Sequence, residues 1–216
     1  MCYIRRMAIM IYVFGSRGRI GSSLVSLIQS HAGYKTEDQL EKADVAIDFS
    51  SPLGTQEILK QVVRLKKPIV IGTTGHSPEN QATISLASQE IPILFSPNFS
   101  LGMGSCLEAA ALLAKQLKNQ ASIDIIETHH LHKKDRPSGT ALLLAQAMKS
   151  KEIPIHSLRA GDTLGDHTVI FTLEGERIEL KHQVYSRNVF ARGALKAAVF
   201  LCGQDPGLYS VKDLFS

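Results

Sequence analysis

Four short apolar segments in the first hundred residues constrain the fold more than any other feature of the sequence. They span 8–14, 44–49, 68–71 and 91–95. Each ends in a loop of small or polar residues, and after the first three loops apolar residues recur at helical spacing, over 22–28, 55–65 and 78–89. Strands and helices that alternate at these lengths predict parallel strands joined by right-handed crossovers. We therefore expect an α/β fold with a Rossmann-like, doubly wound parallel sheet.

The pattern changes after Phe99. Helices are predicted over 103–118, 139–150 and 188–201, and a strand over 122–128. Two alternating segments, 167–173 and 177–184, flank Glu174-Gly175-Glu176 and predict a β-hairpin. Antiparallel pairing indicates a second, smaller α+β unit. Glycines at 203 and 207 are expected to interrupt the chain before a short tail.

Composition excludes several classes of protein. With 216 residues, 44% hydrophobic and 20% charged, the chain fits a soluble globular protein of one or two unequal domains and not a fibrous or disordered one. The net charge of +4 comes without a run of like charges, three scattered cysteines give no disulfide framework, and the apolar segment 7–14 is too short to cross a membrane. No small-residue cleavage site follows it. We expect a cytoplasmic protein with no nucleic-acid or membrane partner.

The loop after the first apolar segment carries Gly15, Gly18 and Gly21, with Arg17 near the middle glycine position of a dinucleotide-binding fingerprint. A strand precedes this loop and a helix follows it, so free N–H groups at the helix start could hold a pyrophosphate. A tight turn without a ligand is the alternative.

An acidic residue about 20 positions further on normally binds the adenosine ribose, and Glu37 and Asp38 fall in that range. The stretch 31–42 has almost no strand character, so we expect a shortened or missing second strand. The choice between NADH and NADPH stays open.

Two further strand-end loops offer groups for a cofactor. Gly72-Thr73-Thr74 provides two hydroxyls and a flexible backbone, and Asn98 provides an amide at the next strand end. An ordinary polar turn and an Asx-turn are the respective alternatives.

The segment 127–141 holds the densest group of polar residues, with three histidines, three cations and a predicted helix start. Ser138 is expected to cap that helix, which leaves the N–H groups of Gly139 and Thr140 available to a carboxylate or phosphate. A histidine can exchange a proton at neutral pH, and Lys133 could supply charge and a second proton. The segment therefore predicts acid chemistry beside an anion site.

Three alternatives compete with this interpretation. His129, His130 and His132 could bind a metal, but adjacent residues at a strand end diverge and no familiar ligand spacing completes the set. Ser138 and a histidine could form a hydrolytic pair, but no nucleophile elbow is present. A solvated basic loop is the third alternative, although it gives no reason for the Pro-Ser-Gly-Thr helix start. We predict no metal site.

The segment Glu127-Thr-His-His-Leu-His-Lys-Lys-Asp-Arg-Pro-Ser-Gly-Thr-Ala resembles the signature of the 4-hydroxy-tetrahydrodipicolinate reductase (dihydrodipicolinate reductase) family. The resemblance extends over nearly the whole chain through weaker motifs in the same order. These are Gly15 to Gly21, Asp48-Phe-Ser, Gly72-Thr-Thr-Gly, Asn98-Phe-Ser-Leu-Gly, Arg159-Ala-Gly-Asp, Gly165-Asp-His-Thr, Ser186-Arg and Phe190-Ala-Arg-Gly-Ala.

This resemblance implies hydride transfer from NADH or NADPH to a cyclic dicarboxylate imine in diaminopimelate and lysine biosynthesis. It implies a dinucleotide-binding domain over 1–99 and 188–216, and a substrate-binding and tetramerisation domain over 100–187, in a homotetramer. His129 is then the general acid and Lys133 the second proton donor, and the substrate contacts are His130, Ser138, Gly139 and Thr140. The implied cofactor contacts are Gly15, Ser16, Arg17, Gly18, Arg19, Ile20, Gly72, Thr73, Thr74, Ser96, Pro97, Asn98 and Phe99.

Two departures from the family pattern bear on the cofactor. Arg17 stands where many members have glycine, and the stretch between Gly21 and Asp48 is short. Two rival functions also remain at this point. The chain could be a nucleotide-sensing binding module without catalysis, or a related reductase of another small dicarboxylate.

Overall fold

The structure is a computed structural model that describes residues 8–149 and 152–214. The chain divides into two compact units: Met1–Phe99 with Asn188–Ser216, and Ser100–Arg187. No helix of the described residues is long and apolar enough to cross a membrane.

The first unit contains a six-stranded sheet in which every paired strand is parallel to its neighbour, in the order β10-β5-β4-β3-β1-β2. The strands are β1 (Ile9–Phe14), β2 (Tyr34–Thr36), β3 (Val45–Asp48), β4 (Ile69–Ile71), β5 (Pro92–Phe95) and β10 (Gly207–Tyr209). The chain reverses its direction across the sheet at β1, because β2 and β3 lie on opposite sides of it. Ligands of such sheets bind beyond the carboxyl ends of the strands at this switch point. The predicted doubly wound sheet is confirmed.

Four helices belong to this sheet: α1 (Arg19–Gln29), α2 (Pro52–Leu65), α3 (Pro78–Ala87) and α6 (Asn188–Leu201). Helix α6 contacts α1 and strands β3 to β5, whereas α2 contacts α3 and β3. Ile58 and Val62 of α2 pack with Ile69 and Ile71 in one core cluster. Each such buried aliphatic side chain contributes about 1.5–3 kcal/mol. Because β3 and β4 are fully buried, they are apolar at nearly every position.

The second unit contains a four-stranded mixed sheet in the order β7-β6-β8-β9. The strands are β6 (Ser122–His129), β7 (Ile155–Arg159), β8 (Asp166–Leu173) and β9 (Glu176–Gln183). Strand β7 is parallel to β6, and the other pairs are antiparallel. Helices α4 (Leu101–Leu117) and α5 (Gly139–Met148) contact each other. Met103 of α4 and Leu144 of α5 pack in the core of this unit with the sheet residues Ile125, Val169 and Phe171. The predicted β8–β9 hairpin is confirmed.

The sequence prediction was wrong at several element boundaries. Helices α1 and α2 begin three residues before the predicted starts, at Arg19 and Pro52. Ser51 caps α2 and accepts a hydrogen bond from the Gly54 N–H at 3.1 Å, so the predicted loop residues already belong to the helix start. The predicted end of α5 at position 150 lies outside the described residues.

Two strands were not predicted. Strand β7 has only two apolar side chains in five residues, and β10 is a three-residue edge strand in the segment expected to be an irregular tail. Gly207 is therefore a strand residue and not part of the predicted break. Strand β2 exists in the shortened form expected.

Candidate active site

The glycine turn after β1 is built by close backbone approach. Gly15 has φ of +83°, and a Cβ there would lie 2.5 Å from the Phe49 carbonyl oxygen. A Cβ on Gly21 would lie 2.1 Å from the Gly15 carbonyl oxygen, which also accepts a hydrogen bond from the Gly18 N–H at 2.9 Å. Only glycine fits at positions 15 and 21 without a shift of the backbone. Arg17 and Arg19 are exposed on this turn, as is Ser16.

The start of α1 has the properties of an anion site. Gly18 occupies the N-cap position without a side-chain cap, and the first turn contains no acidic residue. The Ser22 N–H makes the first helical hydrogen bond, to the Gly18 carbonyl oxygen at 2.9 Å. The N–H groups of Arg19, Ile20 and Gly21 precede it and have no acceptor within the helix. These donors and the helix dipole favour a phosphate group at this point.

The loops after β3 and β4 are joined through Asp48. This fully buried carboxylate accepts hydrogen bonds from the hydroxyls of Ser50, Thr55 and Thr73, at 2.5, 2.5 and 3.1 Å. The Thr73 hydroxyl also accepts from the Ser50 N–H at 2.9 Å. The Thr73 hydroxyl therefore holds the loop together. Of the two threonines predicted to offer a hydroxyl to a cofactor, only Thr74 is exposed.

Gly72 and the loop after β5 surround two aromatic rings. A Cβ on Gly72 would lie 2.2 Å from the Phe49 ring, which packs edge-on against Phe99 at 5.7 Å. Phe99 is 2% exposed, so its ring belongs to the core. The Ser96 hydroxyl donates to the Asn98 carbonyl at 2.7 Å and accepts from its N–H at 3.2 Å. Pro97 is exposed and Asn98 half-buried.

A cavity of about 390 Å³ lies where β1 and β2 end. Its lining includes Ser16 of the glycine turn with Thr36, Glu37 and Asp38. The acidic residues identified by their sequence distance from the glycines thus lie beside the turn. Glu37 also accepts a hydrogen bond from the Gln39 N–H at 2.9 Å, which orients its carboxylate.

In the second unit, β6 ends in a buried histidine held by a buried carboxylate. His129 Nδ1 lies 2.5 Å from Glu127 Oε2, and Glu127 is fully buried. Arg159 at the end of β7 binds the same carboxylate with both terminal nitrogens, Nη1 to Oε2 at 2.9 Å and Nη2 to Oε1 at 3.0 Å. Residues at i and i+2 of a strand share one face, which places Glu127 and His129 together. Register pairing of β6 with β7 places Arg159 opposite His129.

The start of α5 is joined to this cluster. The Ser138 hydroxyl accepts from the Ala141 N–H at 3.2 Å, as a helix cap does, and lies 3.1 Å from His167 Nε2. The Ser138 N–H donates to Glu127 Oε1 at 3.3 Å. Gly139 and Thr140 form the first turn of the helix, which has no acidic residue. A Cβ on Gly139 would meet no atom within 4 Å, so space for a ligand lies beside it.

The loop between β6 and α5 carries the remaining predicted residues. Lys133 Nζ lies 2.9 Å from Asp135 Oδ2, and the Lys133 side chain is partly exposed. The His130 and His132 rings lie 6.2 Å apart, with His132 exposed. Among residues 8–149 and 152–214, no group of three or more His, Cys, Asp or Glu side chains is arranged to hold a metal ion.

Burial and charge shift several pKa values in this cluster. Burial opposes ionisation of Glu127, but hydrogen bonds, led by that from Arg159, lower its pKa to about 2. Burial lowers the pKa of His129, while the adjacent Glu127 partly restores it. Burial, reinforced by the neighbouring His129, lowers the pKa of His167 to about 3. Glu127 is therefore an anion and His167 neutral at pH 7.

The sequence identified the segment 127–141 but gave no role to Glu127, Arg159 or His167. The two-residue period of a strand, which puts Glu127 and His129 on the same face as the apolar Ile123 and Ile125, is a signal that could have paired them. His167 packs edge-on against His129, with ring centroids 5.2 Å apart, and reaches it through the β6–β8 pairing.

Comparisons with known proteins agree over most of the chain. The family model described as "Dihydrodipicolinate reductase, C-terminus" matches residues 102–215, and "Dihydrodipicolinate reductase, N-terminus" matches residues 32–99. A protein from Akkermansia muciniphila named 4-hydroxy-tetrahydrodipicolinate reductase is 39% identical in an alignment that covers 95% of this chain and 97% of that protein. A protein of the same name from Campylobacter jejuni subsp. doylei is 38% identical, and the match covers 96% of this chain and 96% of that protein.

The fold is also that of a solved structure, a dihydrodipicolinate reductase from Paenisporosarcina sp. TG-14 with dipicolinate bound. Its TM-score is 0.78 at 23% identity, over 96% of this chain and 99% of that chain. The two family models and the relatives near 40% identity show the family as well as the fold. On these matches, this chain belongs to the dihydrodipicolinate reductase family.

Proposed function

We propose that this chain reduces 4-hydroxy-tetrahydrodipicolinate to tetrahydrodipicolinate with NADH or NADPH and with loss of water, in diaminopimelate and lysine biosynthesis. The observation that carries the proposal is the histidine at the end of β6, held by Glu127 beside the start of α5, whose first turn has no acidic residue. A proton donor next to an anion site suits an imine that carries carboxylates. Membership of the family gives the identity of the substrate.

The glycine turn fits a nicotinamide dinucleotide. Side chains at positions 15 and 21 would fill the turn, and α1 begins without a capping side chain. Residues 15–20 would hold the pyrophosphate through backbone N–H groups, and loops 72–74 and 96–99 would border the nicotinamide end. The bound cofactor supplies a hydride.

His129 and Lys133 would handle the protons of the reaction. We assign the general-acid role to Nε2 of His129 because its Nδ1 is already engaged by Glu127. Lys133 carries the second proton and a positive charge, and a substrate carboxylate would compete with Asp135 for its ammonium group.

The start of α5 would bind a carboxylate of the substrate. The N–H groups of Gly139 and Thr140 are the donors, while Ser138 holds the helix start through its own hydrogen bonds. His130 is assigned as a further substrate contact because it follows His129 directly in the signature.

We propose further that NADH is preferred over NADPH. Glu37 and Asp38 line the cavity beside the glycine turn, where carboxylates accept hydrogen bonds from a ribose 2′-hydroxyl and repel a 2′-phosphate. Arg17 on the exposed turn is the residue that could favour the phosphate. Michaelis constants for both cofactors, measured in wild type, Asp38→Asn and Arg17→Gly, test this. We expect Asp38→Asn to improve NADPH relative to NADH. An NADPH preference in the wild type would contradict the proposal.

The homotetramer is proposed from the open face of the second sheet. Ile123 and Ile125 point into the core beneath α4 and α5, so Ile126 lies on the opposite face of β6. Ile170 shares that face, and Leu158 of β7, opposite Thr128, is 54% exposed there. These apolar side chains lie among polar ones such as Asp124 and Glu179 on the same face, and such a mixed face suits contact with a second copy of the chain. Light scattering of wild type and Ile170→Lys measures the assembly, and we expect the variant to dissociate.

The central experiment follows oxidation of NADH and NADPH, with substrate generated in situ from pyruvate and aspartate semialdehyde. We expect substrate-dependent oxidation by the wild type. His129→Gln should lower kcat by about 10² or more with little change in cofactor affinity, as for a lost general acid. Lys133→Ala should impair both kcat and substrate affinity.

His132→Gln is the matched control, because it removes an exposed histidine from the loop that directly follows His129. Its kcat should equal that of the wild type. If the wild type binds cofactor but never oxidises it, the chain is a binding module. An unchanged kcat in His129→Gln would remove that residue from the general-acid role.

A further inference from the structure

The Glu127 carboxylate is the point where four hydrogen bonds of the second unit meet. Oε2 contacts His129 Nδ1 at 2.5 Å and Arg159 Nη1 at 2.9 Å. Oε1 contacts Arg159 Nη2 at 3.0 Å and the Ser138 N–H at 3.3 Å. One fully buried carboxylate thus touches the histidine, the cap residue of α5 and a cation.

We propose that Glu127 is a positioning residue for the reaction, which fixes His129 with Nδ1 protonated and Nε2 free to act, and ties it to the start of α5. The inference rests on the proposed function. Because an anionic carboxylate can only accept, His129 must present an N–H to it, and that N–H is on Nδ1. The proton given to a substrate then comes from Nε2.

The surroundings of His129 Nε2 agree with this assignment. A Cβ on Gly165 would lie 3.1 Å from Nε2, so the glycine leaves that side of the ring open. A side chain at position 165 would occupy the space next to the reactive nitrogen.

The charges around His129 give Glu127 a second effect. Arg159 from β7, Lys133 from the loop before α5 and His167 from β8 surround the ring, and the two cations disfavour an imidazolium. Glu127 is the group that favours it. Removing the negative charge while keeping the shape should therefore make His129 lose its proton at lower pH.

A purely structural role makes different predictions. If Glu127 only neutralises Arg159 and joins β6 to β7, its loss would lower stability without moving the pH dependence of turnover. The pH profile of kcat separates the two roles, because its descending limb reports the acid that must be protonated.

The variants are Glu127→Gln, which keeps the size and removes the charge, and Glu127→Asp, which keeps the charge. We expect Glu127→Gln to lower kcat at least tenfold and to move the descending limb down by about one pH unit or more. Glu127→Asp should restore much of the pH profile. The KM for NADH should stay unchanged in both. An unmoved limb in a folded Glu127→Gln would overturn the proposal.

Glu90→Gln is the matched control. It also removes one carboxylate from an ion pair, with Lys66 at 2.6 Å, but both side chains are more than half exposed and the pair lies in the first unit. Its profile should match the wild type, because exposed pairs contribute little. A wild type without turnover would refute the proposed function instead, so the two failures are distinguishable.

A measurement on the wild type avoids the risk that Glu127→Gln does not fold. Long-range ¹H–¹⁵N correlation spectra of the imidazole rings above their titration show which nitrogen carries the proton, and the missing signals in His129→Gln assign the ring. We expect the Nδ1–H tautomer for His129. The Nε2–H tautomer would overturn the proposal even if Glu127→Gln does not fold.

Discussion

The candidate cofactor site of the first unit and the candidate acid site of the second unit are built from different chemical groups. In the first unit, the turn at 15–21 is made of backbone, with two positions where a Cβ would clash and an exposed rim. In the second unit, the end of β6 is made of side chains, where Glu127, His129 and His167 are all buried. A phosphate needs N–H groups and room, which glycines provide. Proton transfer needs a titrating group in a fixed position, which takes buried partners.

This difference predicts different weaknesses. The glycine turn should respond to added size and hardly to pH. The His129 cluster should respond to pH and to the loss of single hydrogen bonds, and it should tolerate added size where the structure leaves room.

The largest effect is expected from Gly15→Ala. The φ of +83° costs an L-residue about 1–2 kcal/mol, and a Cβ at 2.5 Å from the Phe49 oxygen adds a clash, for a total of about 3 kcal/mol. Urea unfolding measures the stability, and fluorescence titration with NADH measures the affinity, which should fall with it. If Gly15→Ala keeps the stability and the NADH affinity of the wild type, the turn is not held as tightly as the structure indicates.

Low pH should destabilise the second unit, around the His129 cluster. The pKa of His167 is about 3 in the fold against 6.5 in the unfolded chain. Between these values the unfolded state binds more protons, so the free energy of unfolding decreases as the pH is lowered. From pH 7 to 5 this amounts to about 2 kcal/mol. The lowered pKa values of His129 and His182 act in the same direction.

Hydrogen exchange measured on peptides, corrected for the intrinsic pH dependence, resolves where this loss occurs. Protection should decrease in β6 and β8 and persist in β3 and β4. In His167→Asn the pH dependence of β8 should weaken, because the titrating group is gone. Equal loss of protection in both sheets would contradict the difference between the two regions.

Gly139→Ala tests the role of space in the second unit. A Cβ here meets no atom within 4 Å, so stability should be unchanged, in contrast to Gly15→Ala. If the Gly139 N–H binds a substrate carboxylate, the methyl group would lie beside that ligand and raise the substrate KM about tenfold, or about 1.4 kcal/mol. An unchanged KM would place the carboxylate elsewhere.

The sequence predicts the backbone turn of the first unit better than the side-chain cluster of the second. Gly15 and Gly21 are predictable because their spacing is local and a backbone turn needs no distant partner. His129 is predictable from the residues around it. Arg159 is not, because it comes from a strand whose alternation is weak and whose parallel pairing with β6 no hairpin turn encodes. Thr73 was expected to offer its hydroxyl to a ligand, whereas that hydroxyl binds the buried Asp48.

The smallest expected effect is the difference in stability cost between the loss of two serine helix caps. Ser51 caps α2 at 3.1 Å and Ser138 caps α5 at 3.2 Å, each accepting from the N–H three residues on. Ser51→Ala should cost about 1 kcal/mol in the free energy of unfolding. Ser138→Ala should cost about 1 kcal/mol more, because His167 Nε2 loses its partner while Nδ1 of that ring already has none among the described residues. Urea unfolding of both variants measures the difference. Equal costs would mean that the Ser138–His167 hydrogen bond contributes nothing, and that the charged contacts of Glu127 alone hold the start of α5 to β6.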